Sequence, residues 1–345
     1  MLRCGVLLEL HCHSTCSDGA EPAAEVGRRA AARDLALFCL TDHDTCAGWA
    51  DAATALPERA MRAVEVSCTE HDRTVHVLCY DVAGGAGWAD LEALLAELEA
   101  RCGARWPGTV VIEGFDDPQP VGDPGGPWTY LVDPVDGSRG LLAGLRSAWV
   151  LLGAGRSAAT LEDLEVGVAV ELPTDRAALG RVGRADRSGH LVVEDDDLVG
   201  DEPPRPVTLA PRTGVDLART FVTVVRLVPG GHGPIGAWAD QHLAGLEVYD
   251  DLYPCTGGQM MAVASGAAAA VLDPRPLLHV GSFASHPYDL AALVLVRAAG
   301  VVVEALPAGL LRAPLDTDAP VAWAAYANEE VAERLRPGPG SFATS

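Results

Sequence analysis

The chain opens on a short apolar run, GVLLEL (5–10), that reads as a buried strand. Pro22 then begins an alanine-rich stretch reaching about Arg33, which predicts a helix. LALFCL (35–40) predicts a second strand, the polar TDHDT a loop, and Ala47 to Leu56 a short helix. RAVEVSC (62–68) and TVHVLCYDV (74–82) predict two more strands. The order βαβαββ implies parallel strands joined by crossover helices. GGAG (84–87) marks a joint, Leu91 to Cys102 an amphipathic helix, and TVVIEG (109–114) a strand. Residues 115–127 read as a loop rich in Asp, Pro and Gly. Strands follow at TYLVD, SAWVLLG, LEVGVAVEL and RTFVTVVRLV, with a Pro- and Asp-rich connection at 194–206. Helices are predicted at about 234–244, 257–270 and 287–299, and a strand at 301–304. No internal repeat is visible. The pattern divides the chain into 1–84, 88–336 and a tail, 337–345.

Composition narrows the class. Of the 345 residues, 49% are hydrophobic and 21% charged, as in globular proteins. The formal net charge is −23, and no lysine occurs, so arginine carries every basic side chain. An acidic surface repels nucleic-acid backbones, and no nucleic-acid polymer is expected as a partner. The absence of lysine excludes Schiff-base catalysis by a side-chain amine. Eight of the nine cysteines precede residue 103 without a CxxC pair, which reads as reduced thiols in a cytoplasmic protein. The apolar stretch from Tyr253 to Leu272 is rich in Gly, Ala and Ser and reads as a buried helix, so no membrane partner is expected.

Two groups of polar residues carry candidate chemistry. The first gathers at the C-terminal ends of the early strands: His11, His13 and Asp18, then Asp42, His43 and Asp44, then Glu65, then His76. In parallel α/β units ligands collect at that edge, and mixed imidazole and carboxylate suits Zn, Mn or Fe. His11, His13 and Glu65 alone would make a two-histidine, one-carboxylate site. Cys12 and Cys16 lie among them without a zinc spacing.

The pieces LHCHSTCSDG, LTDHDT, VEVS and HVLCYDV resemble the PHP family of metal-dependent phosphoesterases. That resemblance implies metal binding by His11, His13, Glu65 and His76 on one side of a cluster and by Asp18 and His43 on the other. It also implies the opening part of a (β/α) barrel, truncated over roughly 5–82. The closing Asp-x-His of that family has a formal match in Asp240-Gln241-His242, which falls in the other predicted domain and reads as coincidence.

The second group is WTYLVDPVDGSRG (128–140). Apolar residues end at Asp133, Pro134 turns the chain, and Asp136-Gly137-Ser138 opens the next element. Two carboxylates three residues apart, with the Val135 carbonyl, suit a hard cation such as Mg²⁺. N–H groups near Gly137 and Ser138 suit a phosphate oxygen if a helix starts there. Glu113 ends the preceding strand, and SHPYDLAALVLVRAAGVVVE (285–304) places Asp289 at a helix start.

VIEG, DPVDGS and YDLAA leading to RAAG resemble the inositol monophosphatase superfamily over roughly 88–336. The fold this implies is the αβαβα layered sugar-phosphatase fold, so the whole chain is expected to be α/β and then α+β. The resemblance implies metal ligation by Glu113, Asp133, Val135, Asp136 and Asp289. It gives Ser138 and Glu113 the orientation of the attacking water, and Gly137, Ser138, Gly257 and Gly258 contact with substrate. Mg²⁺ would serve this site, and Zn²⁺ or Mn²⁺ the first. The expected activity is hydrolysis of a small phosphorylated metabolite: an inositol phosphate, a sugar phosphate or a 3′-phosphonucleotide. The expected assembly is a homodimer. Departures from the family pattern are Ser138 for Thr, Tyr288 for Trp, and Gly114 for a second Glu that Asp116 or Asp117 would have to replace. Arg139 and Arg146 read as surface residues, with approach to a substrate anion as the alternative, and His279 and His286, which flank the pocket segment, read as packing or capping residues. Two alternatives stand beside this activity: a PHP-type Mn/Zn phosphoesterase acting on nucleotides at the first site, and a non-catalytic metal- or ligand-binding protein built from eroded domains.

Overall fold

A computed structural model of the chain describes residues 8–9, 12–33, 37–43, 45, 47–57, 60–70, 73–80, 102–115, 117–174, 176–198, 202–226, 232–253, 255–278, 284–338 and 341–342; side chains at 8–9, 37, 61–70 and 73–80 are outside that description. The chain divides into two compact units, Met1–Glu97 and Leu98–Ser345. The predicted joint at 84–87, the helix at 91–102 up to residue 101, and His11, Asp44, Asp116 and His279 lie outside the described residues.

In the first unit β1 (Leu8–Glu9), β2 (Leu37–Leu40), β3 (Ala60–Glu70) and β4 (Arg73–Tyr80) form one sheet in that order. α1 (Ala23–Ala32) and α2 (Trp49–Ala53) are its crossovers, and Ala23, Ala30, Phe38, Leu40, Ala52 and Leu56 make the core. β1, β2 and β3 are parallel as predicted, but β3 and β4 pair antiparallel. Two residues separate them in sequence, and a parallel return needs a crossover of a dozen or more.

The second unit stacks layers. The strands that matter to the site are β5 (Gly108–Ile112), β7 (Trp128–Asp136), β8 (Ala148–Arg156), β14 (Ala268–Asp273) and β16 (Trp323–Tyr326). The unit's strands also include β6 (Gln119–Val121), β9 (Val166–Leu172), β10 (Leu179–Asp186), β11 (Leu191–Asp197), β12 (Arg205–Pro206), β13 (Phe221–Val224) and β15 (Val302–Ala305). An eight-stranded sheet runs β12-β11-β10-β9-β8-β7-β5-β6 and a four-stranded sheet runs β13-β14-β16-β15. After α3 (Ser138–Leu142) and α4 (His232–His242), the helices α5 (Thr256–Ala264) and α6 (Leu293–Ala298) pack into the core shared by the two sheets. α4 and α7 (Glu329–Leu335) cover the far face of the smaller sheet through Ile235, Trp238, Val331 and Leu335.

Four sequence expectations change here. The helix expected over 257–270 stops at Ala264, and 268–273 is the strand β14. Gly266 takes the left-handed conformation (φ 78°) that ends the helix, and β14 is buried on both faces, so its AAAVLD pattern shows no strand alternation. The loop at 115–127 contains β6 (Gln119–Val121). The Asp-rich connection from 194 begins as the end of β11 (Leu191–Asp197), where Arg181 of β10 (Leu179–Asp186) grips Asp195 at 2.7 and 3.0 Å. The helix at 287–299 is broken into a 3-10 turn, Pro287–Leu290, and α6.

Candidate active site

Parallel pairing of β5 with β7 sets Ile112 beside Val132, so Glu113 and Asp133 emerge at the same strand end. Pro134 does not turn the chain there. β7 continues to Asp136 through a bulge: Asp133 opposes Leu151 and Asp136 opposes Trp149, so Pro134 and Val135 together face Val150. Residues three apart on a regular strand face opposite sides, and the extra residue restores Asp133 and Asp136 to one face. Proline suits the bulge because it has no N–H to leave unpaired. The Val135 N–H donates to Asp133 Oδ1 at 3.0 Å and fixes that carboxylate, which is 1% exposed.

Asp136 is held from across the fold by the start of α5. Thr256 N–H donates to its Oδ1 at 3.1 Å, Gly257 N–H donates to its Oδ2, and the Cys255 thiol lies 3.3 Å from Oδ2. The helix N-terminus favours a negative group there. Glycine is required at 257, because a Cβ would sit 2.7 Å from Leu151 Cδ2 and 3.1 Å from Asp136 Oδ2. Asp289 arrives on the 3-10 turn, its Oδ2 accepting the His286 N–H at 2.6 Å. Asp133, Asp136 and Asp289 thereby each offer an oxygen, all within 4.8 Å of one another.

Such a group is costly without a cation. Burial, then the neighbouring Asp289 charge, pushes the Asp136 carboxyl up to about 8 against the pull of the α5 donors. Burial, then Glu113 and Asp136, drives Asp133 well above the carboxylate range. Glu113 is exposed as a residue, yet its carboxyl feels the neighbouring Asp289 and Asp133 groups. Burial, then Asp289, raises it to about 7, with His286 and Arg139 pulling it back. An all-oxygen, acidic donor set of this kind fits a hard divalent cation.

In the first unit His13 Nδ1 stands 2.5 Å from Asp18 Oδ1, His43 Nε2 stands 3.6 Å from Asp18 Oδ2, and the two rings meet edge to face at 4.6 Å. Each of the three offers an atom to one candidate metal position. His13 and His43 drive the Asp18 carboxyl below its ordinary value, the His13 hydrogen bond contributing most. Asp42, which the sequence grouped with these ligands, turns inward instead. It is 1% exposed and accepts from Ser14 N–H (2.5 Å), Ser14 Oγ (2.6 Å) and Ser17 Oγ (2.8 Å), so it builds the loop that carries Asp18. His11 lies outside the described residues. Glu65 and His76 occupy β3 and β4, where Ser67 pairs with His76 and Glu65 with Leu78.

Other expectations resolve residue by residue. Gly137 is left-handed (φ 92°) and α3 begins at Ser138 as the phosphate reading required. Gly257 and Gly258, expected at the substrate, commit their N–H groups to Asp136 and to Cys255 Sγ (3.2 Å). Arg146 pairs with Asp251 at 2.6 Å and stays a surface residue. His242 of the Asp-x-His match stacks on Trp238 and bonds the Leu335 carbonyl at 2.7 Å, which makes it a packing residue. Asp117 is exposed and does not join the acidic group. His286, read from the sequence as a packing or capping residue, caps the Pro287–Leu290 turn and stacks on Tyr288; it also lies 3.8 Å from Asp289 Oδ2 and influences Glu113. Reading the sequence missed Cys255 and Thr256. Only their adjacency to the Gly-Gly helix start signalled them.

Cys12, Cys16, Cys39, Cys102 and Cys255 carry thiols, and among the described residues no helix is long and apolar enough to cross a membrane. No protein-family model matches the chain. Its N-terminal part is similar to three curated proteins. It is 47% identical over 74 residues to a 3′,5′-nucleoside bisphosphate phosphatase of Chromobacterium violaceum, 21% of this chain and 26% of that one. It is 38% identical over 73 residues to a 5′-3′ exoribonuclease of Haemophilus influenzae, 20% of this chain and 27% of that one. The third is a phosphoribosyl 1,2-cyclic phosphate 1,2-diphosphodiesterase of Eggerthella lenta, 40% identical over 84 residues, 23% of this chain and 32% of that one. The chain thus spans between a quarter and a third of the curated relatives it matches. Solved structures like it include an extragenic suppressor protein and a fructose-1,6-bisphosphatase. The extragenic suppressor protein suhB from Bartonella henselae has a TM-score of 0.49 at 18% identity, covering 70% of this chain and 79% of that one. Fructose-1,6-bisphosphatase from Leishmania major has a TM-score of 0.55 at 12% identity, covering 74% of this chain and 84% of that one. Over that span the chain has the layered fold of the latter protein, and at this identity the likeness is one of fold.

Proposed function

We propose that the chain is a metal-dependent phosphatase whose site is Glu113, Asp133, Asp136 and Asp289. The observation that carries this reading is the convergence of three carboxylates from β7 and the Pro287–Leu290 turn to within 4.8 Å, two of them buried. Their carboxylates, with Glu113 and the Val135 carbonyl, would hold Mg²⁺. The ion supplies charge stabilisation at phosphorus and lowers the pKa of water. The amides that open α3 receive a phosphate oxygen, and Ser138 with Glu113 orients the attacking water. The water oxygen forms the new P–O bond as the ester P–O bond breaks, and the proton that the water gives up to Glu113 passes to the departing alkoxide, so the products are the alcohol and inorganic phosphate. The substrate class is a small phosphorylated metabolite: an inositol phosphate, a sugar phosphate or a 3′-phosphonucleotide. The test is phosphate release from a panel of such esters with and without Mg²⁺. Metal-dependent release from at least one ester supports the reading, and none from any ester sinks it.

The His13–Asp18–His43 group favours a second reading, in which the first unit uses Mn²⁺ or Zn²⁺ to hydrolyse a nucleotide phosphoester. The 47% identity to a 3′,5′-nucleoside bisphosphate phosphatase over 74 residues supports it. Activity that survives Asp133→Asn and is lost in His13→Ala would select this reading. Metal uptake at both groups without turnover would instead make the chain a binding protein.

A further inference from the structure

Behind the carboxylates lies a buried polar chain that no step above uses. Asp273, at the end of β14, is 0% exposed and Arg275 is 5% exposed. Arg275 grips Asp273 with two hydrogen bonds, Nε to Oδ1 at 2.7 Å and Nη2 to Oδ2 at 2.6 Å. A buried pair of this kind contributes little net stability over apolar residues of equal volume, so its value here is in what it holds. It holds Ser285. The Ser285 hydroxyl donates to Asp273 Oδ2 at 2.9 Å and accepts from Trp323 Nε1 at 3.0 Å. Its other neighbours are Thr256 Oγ1 at 3.2 Å and Arg275 Nη2, which donates to it at 3.4 Å. A hydroxyl has one hydrogen and two lone pairs, so with its hydrogen on Asp273 it only accepts from Thr256, whose hydroxyl shares the second lone pair with the longer Arg275 contact.

Ser285 therefore stands between two of the candidate metal ligands. Through Thr256 it fixes the residue whose N–H holds Asp136 Oδ1. Along the chain it precedes His286, whose N–H holds Asp289 Oδ2. Its backbone is anchored as well, since Val321 N–H donates to its carbonyl at 2.7 Å.

We propose that Ser285 and Thr256, backed by the Asp273–Arg275 pair, are positioning residues that set the spacing of Asp136 and Asp289 and hence the metal affinity of the site. The proposal rests on the reading of those carboxylates as a metal site. Partners one step behind the ligands commonly govern metal affinity by tenfold or more, because they hold ligands that would otherwise splay apart in repulsion.

The experiment is a calorimetric Mg²⁺ titration of the full chain, wild type against Ser285→Ala, Thr256→Val and the double variant, with melting temperatures in chelator alongside. Each single variant is expected to weaken Mg²⁺ binding by about tenfold. The double variant should lose no more than the worse single, because both break one connection. Ser285→Thr, which keeps the hydroxyl, should restore binding. A merely structural role would lower the melting temperature and leave the affinity within about twofold of wild type, and that result overturns the proposal. Thr256→Val preserves shape, so it carries the test if Ser285→Ala does not fold. Wild type that binds Mg²⁺ but releases no phosphate would remove the phosphatase reading and leave this inference standing. Wild type that takes up no Mg²⁺ removes both.

Discussion

Asp133 and Asp136 share one face of β7 because a bulge inserts one residue between them opposite Leu151 and Trp149. The DPVDG segment is thus a strand end re-aimed by one extra residue, and its two carboxylates point at the same volume as Asp289. Everything proposed for the site depends on that geometry and on the α5 start that clasps Asp136.

Gly257→Ala should damage the site from the α5 side. The added methyl meets Leu151 and Asp136 Oδ2, so α5 must back away from the carboxylate it holds. The expected cost is about 1–3 kcal/mol of stability, together with weaker Mg²⁺ binding. Chemical denaturation and metal titration of the same sample check both, and an unchanged affinity would show that the α5 donors do not orient Asp136.

Metal-free protein should lose stability as pH rises from 6 to about 8. Asp136 and Glu113 titrate at about 8 and about 7 when folded, against ordinary values of 3.8 and 4.5. Between those values the folded state binds more protons than the unfolded one. Their stabilising contribution is therefore fully present below the ordinary values and disappears as pH climbs through 7 to 8. A bound divalent cation takes the place of the protons, so saturating Mg²⁺ should flatten the slope. Melting curves across this range, with chelator and with Mg²⁺, would refute the idea if the two slopes were the same.

In the first unit, Asp42→Ala should impair metal uptake although Asp42 faces away from the ligand atoms. Its loss strands the buried Ser14 N–H and hydroxyl, each worth about 1–3 kcal/mol when unpaired, releases Ser17 Oγ, and frees the loop that carries Asp18. Elemental analysis after Zn²⁺ or Mn²⁺ loading should show metal lost in Asp42→Ala and in Asp18→Ala, yet kept in Asp133→Asn. Retention in Asp18→Ala would rule out the His13–Asp18–His43 group.

Residues whose role is written in a local pattern were legible. Glu113 and Asp133 each close an apolar run, Asp136 follows within DPVDG and Asp289 opens an apolar run, and the resemblance that these motifs carry implied the layered fold. The bulge was not legible, because Pro134 reads equally as a turn. β14 was read as helix because a central strand buried on both faces looks like any apolar stretch of alanines. Ser285 carries no signal in sequence, and His286 none beyond that of a packing or capping residue. Their importance comes from long-range packing against Tyr288, Trp323 and Asp273. In the first unit HCHSTCSDG was legible as a metal rim, but the inward turn of Asp42 was not, since Asp42 and His43 are adjacent and point to different environments.

The central claim is that Asp133, Asp136 and Asp289 are drawn together to hold a divalent cation. It is tested most directly by Mg²⁺ titration calorimetry on wild type and Asp133→Asn, with the melting temperature of each in chelator. Removing one repelled, buried carboxylate should stabilise the metal-free protein and weaken Mg²⁺ binding by more than about a hundredfold, beyond what partners behind the ligands contribute. Equal Mg²⁺ binding by the two proteins, or an Asp133→Asn chain less stable than wild type in chelator, would contradict the account.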